Sequence, residues 1–362
     1  MKISRIASIA GVALAATIVL SSCAANEGTP AGGESSSSLK GTLQGIGSSA
    51  QGAAETAWGT GFQTANDAVT VNYDPQGSGA GRTAFLTGAA DFAGSDAALK
   101  TEELATVSPT CKAGTAPIDL PVYISPIAVA YNLEGVTDLK LDAATIAGIF
   151  KGTVTTWNDK AIADQNPDAT LPSDKINVVH RSDDSGTTQN FTEYLVANAP
   201  DVWDAEAGQT YPYKVGDAAK GTSGVADATK NSKNSITYID ESGAEGLSIA
   251  QLKVGDAYST ISAEGAADVV SKSPIADGRE ANDLAIAIDR KITDANAWPM
   301  VLVSYFIACQ EYADTDKGAL VSAYAQYVAS DAGQQAAATQ AKSAPLSGDL
   351  AAKVAAAAAT IK

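Results

Sequence analysis

The sequence predicts an α/β protein built as two lobes, and three observations carry that expectation. The chain has 362 residues, 45% of them hydrophobic, and single hydrophobic cores stop growing at about 250 to 300 residues, beyond which chains divide. Short apolar runs, Gly/Ser loops and helical stretches follow one another through residues 43–96, as strands alternating with helices do. Two long apolar, β-rich runs, 118–132 (IDLPVYISPIAVAYN) and 297–309 (AWPMVLVSYFIAC), suit a crossing between lobes and a return. The expected division is a leader over 1–23, a tether over 24–40, lobe 1 from 41–120 plus 301–362, and lobe 2 from 121–300.

The leader is a processing signal rather than part of the fold. Lys2 and Arg5 precede an apolar stretch, 6–20, that is short for a membrane span, and Leu20-Ser21-Ser22-Cys23 follows. Small residues before a cysteine resemble the bacterial lipobox, so Cys23 is the expected lipid attachment site and mature N-terminus. Residues 24–40 (AANEGTPAGGESSSSLK) are rich in Gly, Ser and Pro and have no apolar period, which reads as a flexible tether reaching about 20 to 25 Å.

After the tether, 43–46 reads as a strand running into Gly47-Ser48-Ser49, then a helix bearing Trp58 and Phe62. The alternating 69–73 is a second strand, running into a glycine loop over 77–81 and a short helix with Phe85 and Leu86. A third strand step, 91–93, ends at Gly94-Ser95-Asp96. In such βαβαβ units the loops at the carboxyl ends of the strands converge on one crevice and feed helix N-termini, whose free N–H groups suit an anion. Ser48, Ser49 and Ser78 add hydroxyl donors there. In lobe 2 a helix falls within 141–159, with Ile146, Ile149 and Phe150 on one face and Gly152 at its end. The strand 176–179 ends at His180-Arg181, and a helix with Phe191, Tyr194 and Leu195 follows Ser182-Asp183-Asp184-Ser185-Gly186-Thr187. Arg181 is permanently charged and its planar fork suits tetrahedral oxyanions, with Asp183 placed to hold the fork from the side. The Ala-rich stretch 318–362 reads as helices packed on lobe 1.

Charge excludes one class of partner. With 24 Lys+Arg against 41 Asp+Glu the formal charge is −17, and no basic stripe exists to displace counterions from a nucleic acid. An anion site must therefore work through local dipoles and one or two placed cations. Of three cysteines, Cys111 and Cys309 remain once Cys23 carries lipid. In an exported protein they are expected to form a disulfide closing a loop of about 200 residues, worth about 4 to 5 kcal/mol in the chain-entropy picture. His180 is the only histidine, and no Cys/His cluster has metal-ligand spacing, so no metal or cofactor is expected.

Three segments, VNYDPQGSGAGRTAFLTGAADFAGSDAAL (71–99), LDAATIAGIFKGTVTTWNDKAIADQNPDATLP (141–172) and INVVHRSDDSGTTQNFTEYL (176–195), resemble the PstS-type phosphate-binding proteins of high-affinity phosphate ABC transporters, in an actinobacterial-like form. The specific elements are R-x-D-x-S-G-T, here Arg181 to Thr187, and Gly77-Ser78 followed by D-F-x-x-S-D, here Asp91 to Asp96. The resemblance implies a two-lobed periplasmic-binding-protein fold of type II with the ligand cleft between the lobes. It implies phosphate contacts from Ser49, the Ala50 backbone, Ser78, Asp96, Arg181, Ser185, Gly186 and Thr187. At 45–51 the sequence reads GIGSSAQ where the commoner family form is G-A-G-A-T-F-P, so a hydroxyl survives at Ser49 while the surrounding loop departs from the family form. The implied role is capture of inorganic phosphate at the outer face of the cell membrane, by a lipid-anchored monomer, for delivery to the permease subunits of an ABC importer.

Such a protein is not an enzyme. The rival readings are a secreted phosphate-ester hydrolase, a binding protein for another oxyanion and a surface phosphate sensor. The hydrolase lacks a base, since His180 adjoins Arg181 and no G-x-S-x-G elbow is present. The glycine run 77–81 lacks the Gly-Lys-Ser/Thr ending of a nucleotide-binding P-loop.

Overall fold

The computed structural model describes residues 39–106 and 108–362. The leader, the lipobox cysteine Cys23 and residues 24–38 of the tether lie outside the described residues. The elements in chain order are β1 (Gly41–Gly47), α1 (Gly52–Ala65), β2 (Val69–Asp74), α2 (Ser78–Leu86), β3 (Phe92–Ser95), α3 (Thr101–Leu104), β4 (Pro117–Asn132), β5 (Lys140–Leu141), α4 (Ala143–Lys151) and α5 (Lys160–Ala163). Next come β6 (Asn177–Arg181), α6 (Gly186–Asn198), β7 (Asp217–Ala219), α7 (Gly221–Asn231), β8 (Ser235–Asp240), β9 (Ser248–Ile249), β10 (Gln251–Val254), β11 (Ala257–Ser259) and α8 (Ala263–Lys272). The last are β12 (Val301–Cys309), α9 (Thr315–Ala329), α10 (Asp331–Ala341) and α11 (Gly348–Ala358).

The main sheet is mixed, in the order β2-β1-β3-β12-β4-β8-β6-β7, with β9 on β4 and a separate β11-β10-β5 sheet. Strand β4 belongs to both halves: Pro117 to Pro126 pair antiparallel with β12, and Ile127 to Asn132 pair antiparallel with β8. All its residues but the last are buried, which is why the sequence shows an almost unbroken apolar run instead of alternation. Its prolines are tolerated because the ladder is interrupted where they fall. Pro121 sits at a register shift against Ser304/Tyr305, and Ile127, after Pro126, resumes bonding to the Met300 carbonyl at 2.7 Å. The fold is thus two half-sheets joined through β4 and β12, with helices on the flanks, and the C-terminal helices cover the first half: Trp58 of α1 is fully buried and donates to the Gly333 carbonyl of α10 at 2.8 Å.

Three local boundaries differ from the sequence expectation. The run Gly77 to Gly81 is not a loop, since α2 begins at Ser78. Gly77, at φ 108°, makes the turn alone, and Gly81 lets the helix lie on the sheet, where an added Cβ would stand 2.5 Å from the Gly47 Cα and 2.6 Å from the Ile46 carbonyl oxygen. β3 continues through Gly94 and Ser95, and β6 continues through His180 and Arg181. Asp96 therefore immediately follows its strand, while Arg181 closes one.

Cys111 and Cys309 form a disulfide, tying the segment after α3 to the end of β12 across a separation of 198 residues. Replacing both cysteines with alanine is expected to lower unfolding stability by about 2 to 5 kcal/mol. Denaturant melts of the two forms check this, and coincident midpoints would contradict it.

The core also holds carboxyls that favour acid. Burial pushes Glu55 up to about 8 against its Tyr324 hydrogen bond, and Asp240 to about 7 against its bonds to Ser242 and Ser125. Asp119 is raised by burial and by neighbouring Asp283, against the pull of Arg279. A group raised in the fold holds its proton longer than in the unfolded chain. Its contribution is fully present below the unfolded value of about 4 and is lost as pH climbs through the folded value. Stability is therefore expected to fall between about pH 5 and pH 8, by up to about 1.4 kcal/mol per pH unit for each such carboxyl. Calorimetric melts across that range test this, with Glu55→Gln expected to flatten the slope; a melting temperature that rises with pH would contradict it.

Candidate functional site

The loops after β1, β2 and β3 meet as the sequence suggests. Ser48 N donates to the Gly94 carbonyl and Gly77 N to the Gly47 carbonyl, both at 2.8 Å. Asp96 follows β3 and is 3% exposed. Its backbone N donates to Ser78 Oγ at 3.1 Å, and its carbonyl accepts from Asn190 Nδ2 of α6 at 2.7 Å. Thr187 Oγ1 donates to Asp96 Oδ2 at 3.2 Å, whereas the buried Oδ1 has no partner. Gly186 permits this approach of α6: a Cβ there would stand 2.6 Å from both Asp96 Cβ and Ser78 Oγ. Two sequence motifs nearly a hundred residues apart thus share one buried point.

Arg181 ends β6 and is 4% exposed. Its Nε donates to Asp183 Oδ1 at 2.8 Å and its Nη2 to Asp183 Oδ2, a two-point grip that also receives the Gly221 N–H at 3.1 Å. Burial pushes the Asp183 carboxyl up, but the Arg181 hydrogen bond and charge and the Gly221 N–H outweigh it and hold the group below its ordinary range. Two of the five guanidinium N–H groups are spent on Asp183, leaving the fork aimed with donors to spare. Ser185 caps α6, accepting from Thr188 N at 3.1 Å, so its own proton is free to donate.

Ser49 and Ala50 behave differently from each other. Ser49 Oγ accepts from Thr222 N at 3.0 Å and lies 3.1 Å from Thr222 Oγ1, so it caps α7 from the opposite half of the sheet. The Ala50 N–H is directed at Ser48 Oγ, 3.1 Å away. Gly79 N donates to the Asp184 carbonyl and Arg82 Nη2 to Gln209 Oε1, each at 3.1 Å, and Lys220 reaches Gln76. These bonds clasp the halves together. Beside Ser49 and Thr222 a groove of about 710 Å³ leads along α1, and a cavity of about 320 Å³ adjoins Asp96 on another side.

Burial raises the Asp96 carboxyl above its ordinary range, while the nearby Ser48 and Ser304 hydroxyls, the Arg181 charge and the Thr187 hydroxyl pull it down. Two of these groups were not among the expected contacts. Ser48 is legible as a loop hydroxyl, and Ser304 as the one hydroxyl-bearing small side chain inside the otherwise apolar run of β12. Thr222, set in an unremarkable Lys-Gly-Thr-Ser stretch, offers no such signal. His180 stacks on Tyr211 with centroids 4.0 Å apart, and its Nδ1 lies 2.9 Å from the Arg181 carbonyl oxygen, so its ring is held by an aromatic cluster. Among the described residues no group of three or more His, Cys, Asp or Glu could hold a metal ion.

A sequence model described as a PBP superfamily domain matches residues 32–332. Phosphate-binding protein PstS 3 of Mycobacterium tuberculosis (strain H37Rv) is 36% identical over 341 residues, covering 90% of this chain and 91% of its own. The chain belongs to the PstS family of the PBP superfamily. PstS 2 of the same organism is 34% identical over 338 residues, with 90% and 91% covered, and the PstS of Xylella fastidiosa is 30% identical over 294 residues, with 80% and 77% covered. The PstS fold recurs in solved structures. A high-affinity periplasmic phosphate-binding protein bound with phosphate superposes with a TM-score of 0.69 at 22% identity, covering 87% of this chain and 93% of that one. A phosphate-binding protein from Stenotrophomonas maltophilia gives 0.68 at 20% identity, covering 88% and 94%.

Proposed function

We propose that this chain binds inorganic phosphate outside the membrane and delivers it to an ABC phosphate importer, releasing the ion chemically unchanged. The observation that carries the reading is the combination of a buried, unpartnered carboxylate oxygen, Asp96 Oδ1, with the buried Arg181 guanidinium whose charge acts on that carboxyl. A carboxylate in an anion site repels its guest unless a proton lies between them. Phosphate keeps at least one proton near neutral pH and can donate it to Asp96; sulfate has none and meets an acceptor with no hydrogen to share. Asp96 thereby discriminates, and attraction comes from Arg181, the Ser78 and Ser185 hydroxyls and the N–H groups of Gly186 and Thr187 that open α6, the Thr187 hydroxyl proton being spent on Asp96 Oδ2. At about 0.5 to 1.5 kcal/mol per neutral bond and 1.5 to 3 per charged one, such a set reaches the roughly −8 kcal/mol of a micromolar site.

In this reading, Ser49 and the Ala50 backbone close the site from the α1 side, Asp183 aims Arg181, and lobes bounded at 41–120 plus 301–362 and at 121–300 close about β4 and β12. Cys23 carries the lipid, the tether lets the domain reach the permease, and the chain works as a monomer. Calorimetric titration of the chain tests the proposal: saturable phosphate binding, with sulfate at least about 100-fold weaker, is expected. Binding of neither ion would defeat it, and equal binding would reassign the cleft to oxyanions at large.

A further inference from the structure

Ser304 lies fully buried in β12, a strand otherwise made of apolar and aromatic side chains. The antiparallel pairing of Tyr305 with Ser95 sets Ser304 opposite Asp96, near enough for its hydroxyl to favour the ionised carboxyl, while Asp96 Oδ1 itself is left without a hydrogen-bond partner. On the other edge of β12 the register slips at this point: Ser304 pairs with Tyr123 and Tyr305 with Pro121, leaving Val122 as the extra residue. Pro121 lacks an N–H with which to continue the ladder, and bulges of this kind re-aim side chains next to functional sites. Behind Ser304 stands Gln51, also fully buried, whose Oε1 accepts from Ser304 Oγ at 3.2 Å and whose Nε2 has no partner.

Ser304 has one proton to give. Donated to Gln51, it leaves only a lone pair for Asp96, an arrangement that suits a protonated carboxyl. With the Gln51 amide turned over, Nε2 donates to Ser304 Oγ and the serine proton goes to Asp96, which suits the carboxylate. That orientation also partners the amide nitrogen. We propose that Gln51 and Ser304 are positioning residues for Asp96, a two-member hydrogen-bond relay whose direction holds the carboxyl as an acceptor and so sets discrimination between protonated and unprotonated tetrahedral anions. The inference rests on the phosphate-binding reading above and extends it to residues that need not touch the ion.

The test is a competition titration of phosphate and sulfate on the chain and its variants. Ser304→Ala and Gln51→Met should each lower the phosphate-to-sulfate affinity ratio about 10-fold, the worth of one hydrogen bond to a charged group. Ser304→Thr, which keeps the hydroxyl, should restore the ratio to within about 3-fold of wild type. A ratio unchanged in both, or both affinities falling by one common factor, overturns the relay, because loss of packing alone weakens the two anions alike. If Ser304→Ala does not fold, the ratio for Gln51→Met decides. Failure of the wild-type chain to bind phosphate is a separate result that removes the underlying reading as well.

Discussion

Arg181→Ala is expected to weaken phosphate binding by at least about 100-fold in calorimetric titration. Arg181 is the charged donor set whose fork is aimed by Asp183, and the loss of two charge-assisted bonds at about 1.5 to 3 kcal/mol each corresponds to about 10² to 10⁴ in affinity. The substitution also strips the half-buried Asp183 of its partner and leaves Asp96 without the charge that lowers it. The melting temperature should therefore fall together with affinity. Arg181→Lys restores a positive charge as a compact ammonium but not the planar fork, so it should recover thermal stability better than binding. Near-native affinity in the alanine variant would place the anion elsewhere.

Asp96→Asn is expected to act on selectivity more than on affinity. The amide keeps the shape of the carboxyl, and its oxygen can still accept from Thr187. Its NH₂ would occupy the place of Oδ1, turning an acceptor into a donor. Sulfate then meets a hydrogen it previously lacked, while phosphate exchanges one donated proton for one accepted. The phosphate-to-sulfate affinity ratio should drop by about 100-fold, most of it through tighter sulfate binding, with phosphate affinity falling about 10-fold or less. Competition titration reads both numbers, and an unchanged ratio would remove Asp96 from the discriminating role.

How much of this was legible before the structure depended on how far apart the partners lie. Arg181, Asp183, Ser185, Gly186 and Thr187 fall within seven residues, so the strand end, the charge and the helix cap read as one unit. β4 and β12 were legible because a strand buried on both faces leaves a continuous apolar run. The Gly77 to Gly81 run misled because glycine serves both turns and close packing, and here only Gly77 turns while Gly81 lies against β1 and β3. Ser304 with Gln51 and Ser49 with Thr222 are separated by 253 and 173 residues. Their pairing is a product of sheet order, and neither short polar side chain marks its partner in the sequence.

The central claim is that Asp96 takes the proton of the guest while Arg181 takes its charge. A crystal structure grown with phosphate tests it most directly. The expected map places one phosphate oxygen about 2.5 to 2.7 Å from Asp96 Oδ1, as a short O–H···O⁻ bond requires, with a second oxygen on the Arg181 guanidinium. A phosphate ordered in the cleft but separated from Asp96 by a water or a cation, or bound with Arg181 turned away, would contradict the account.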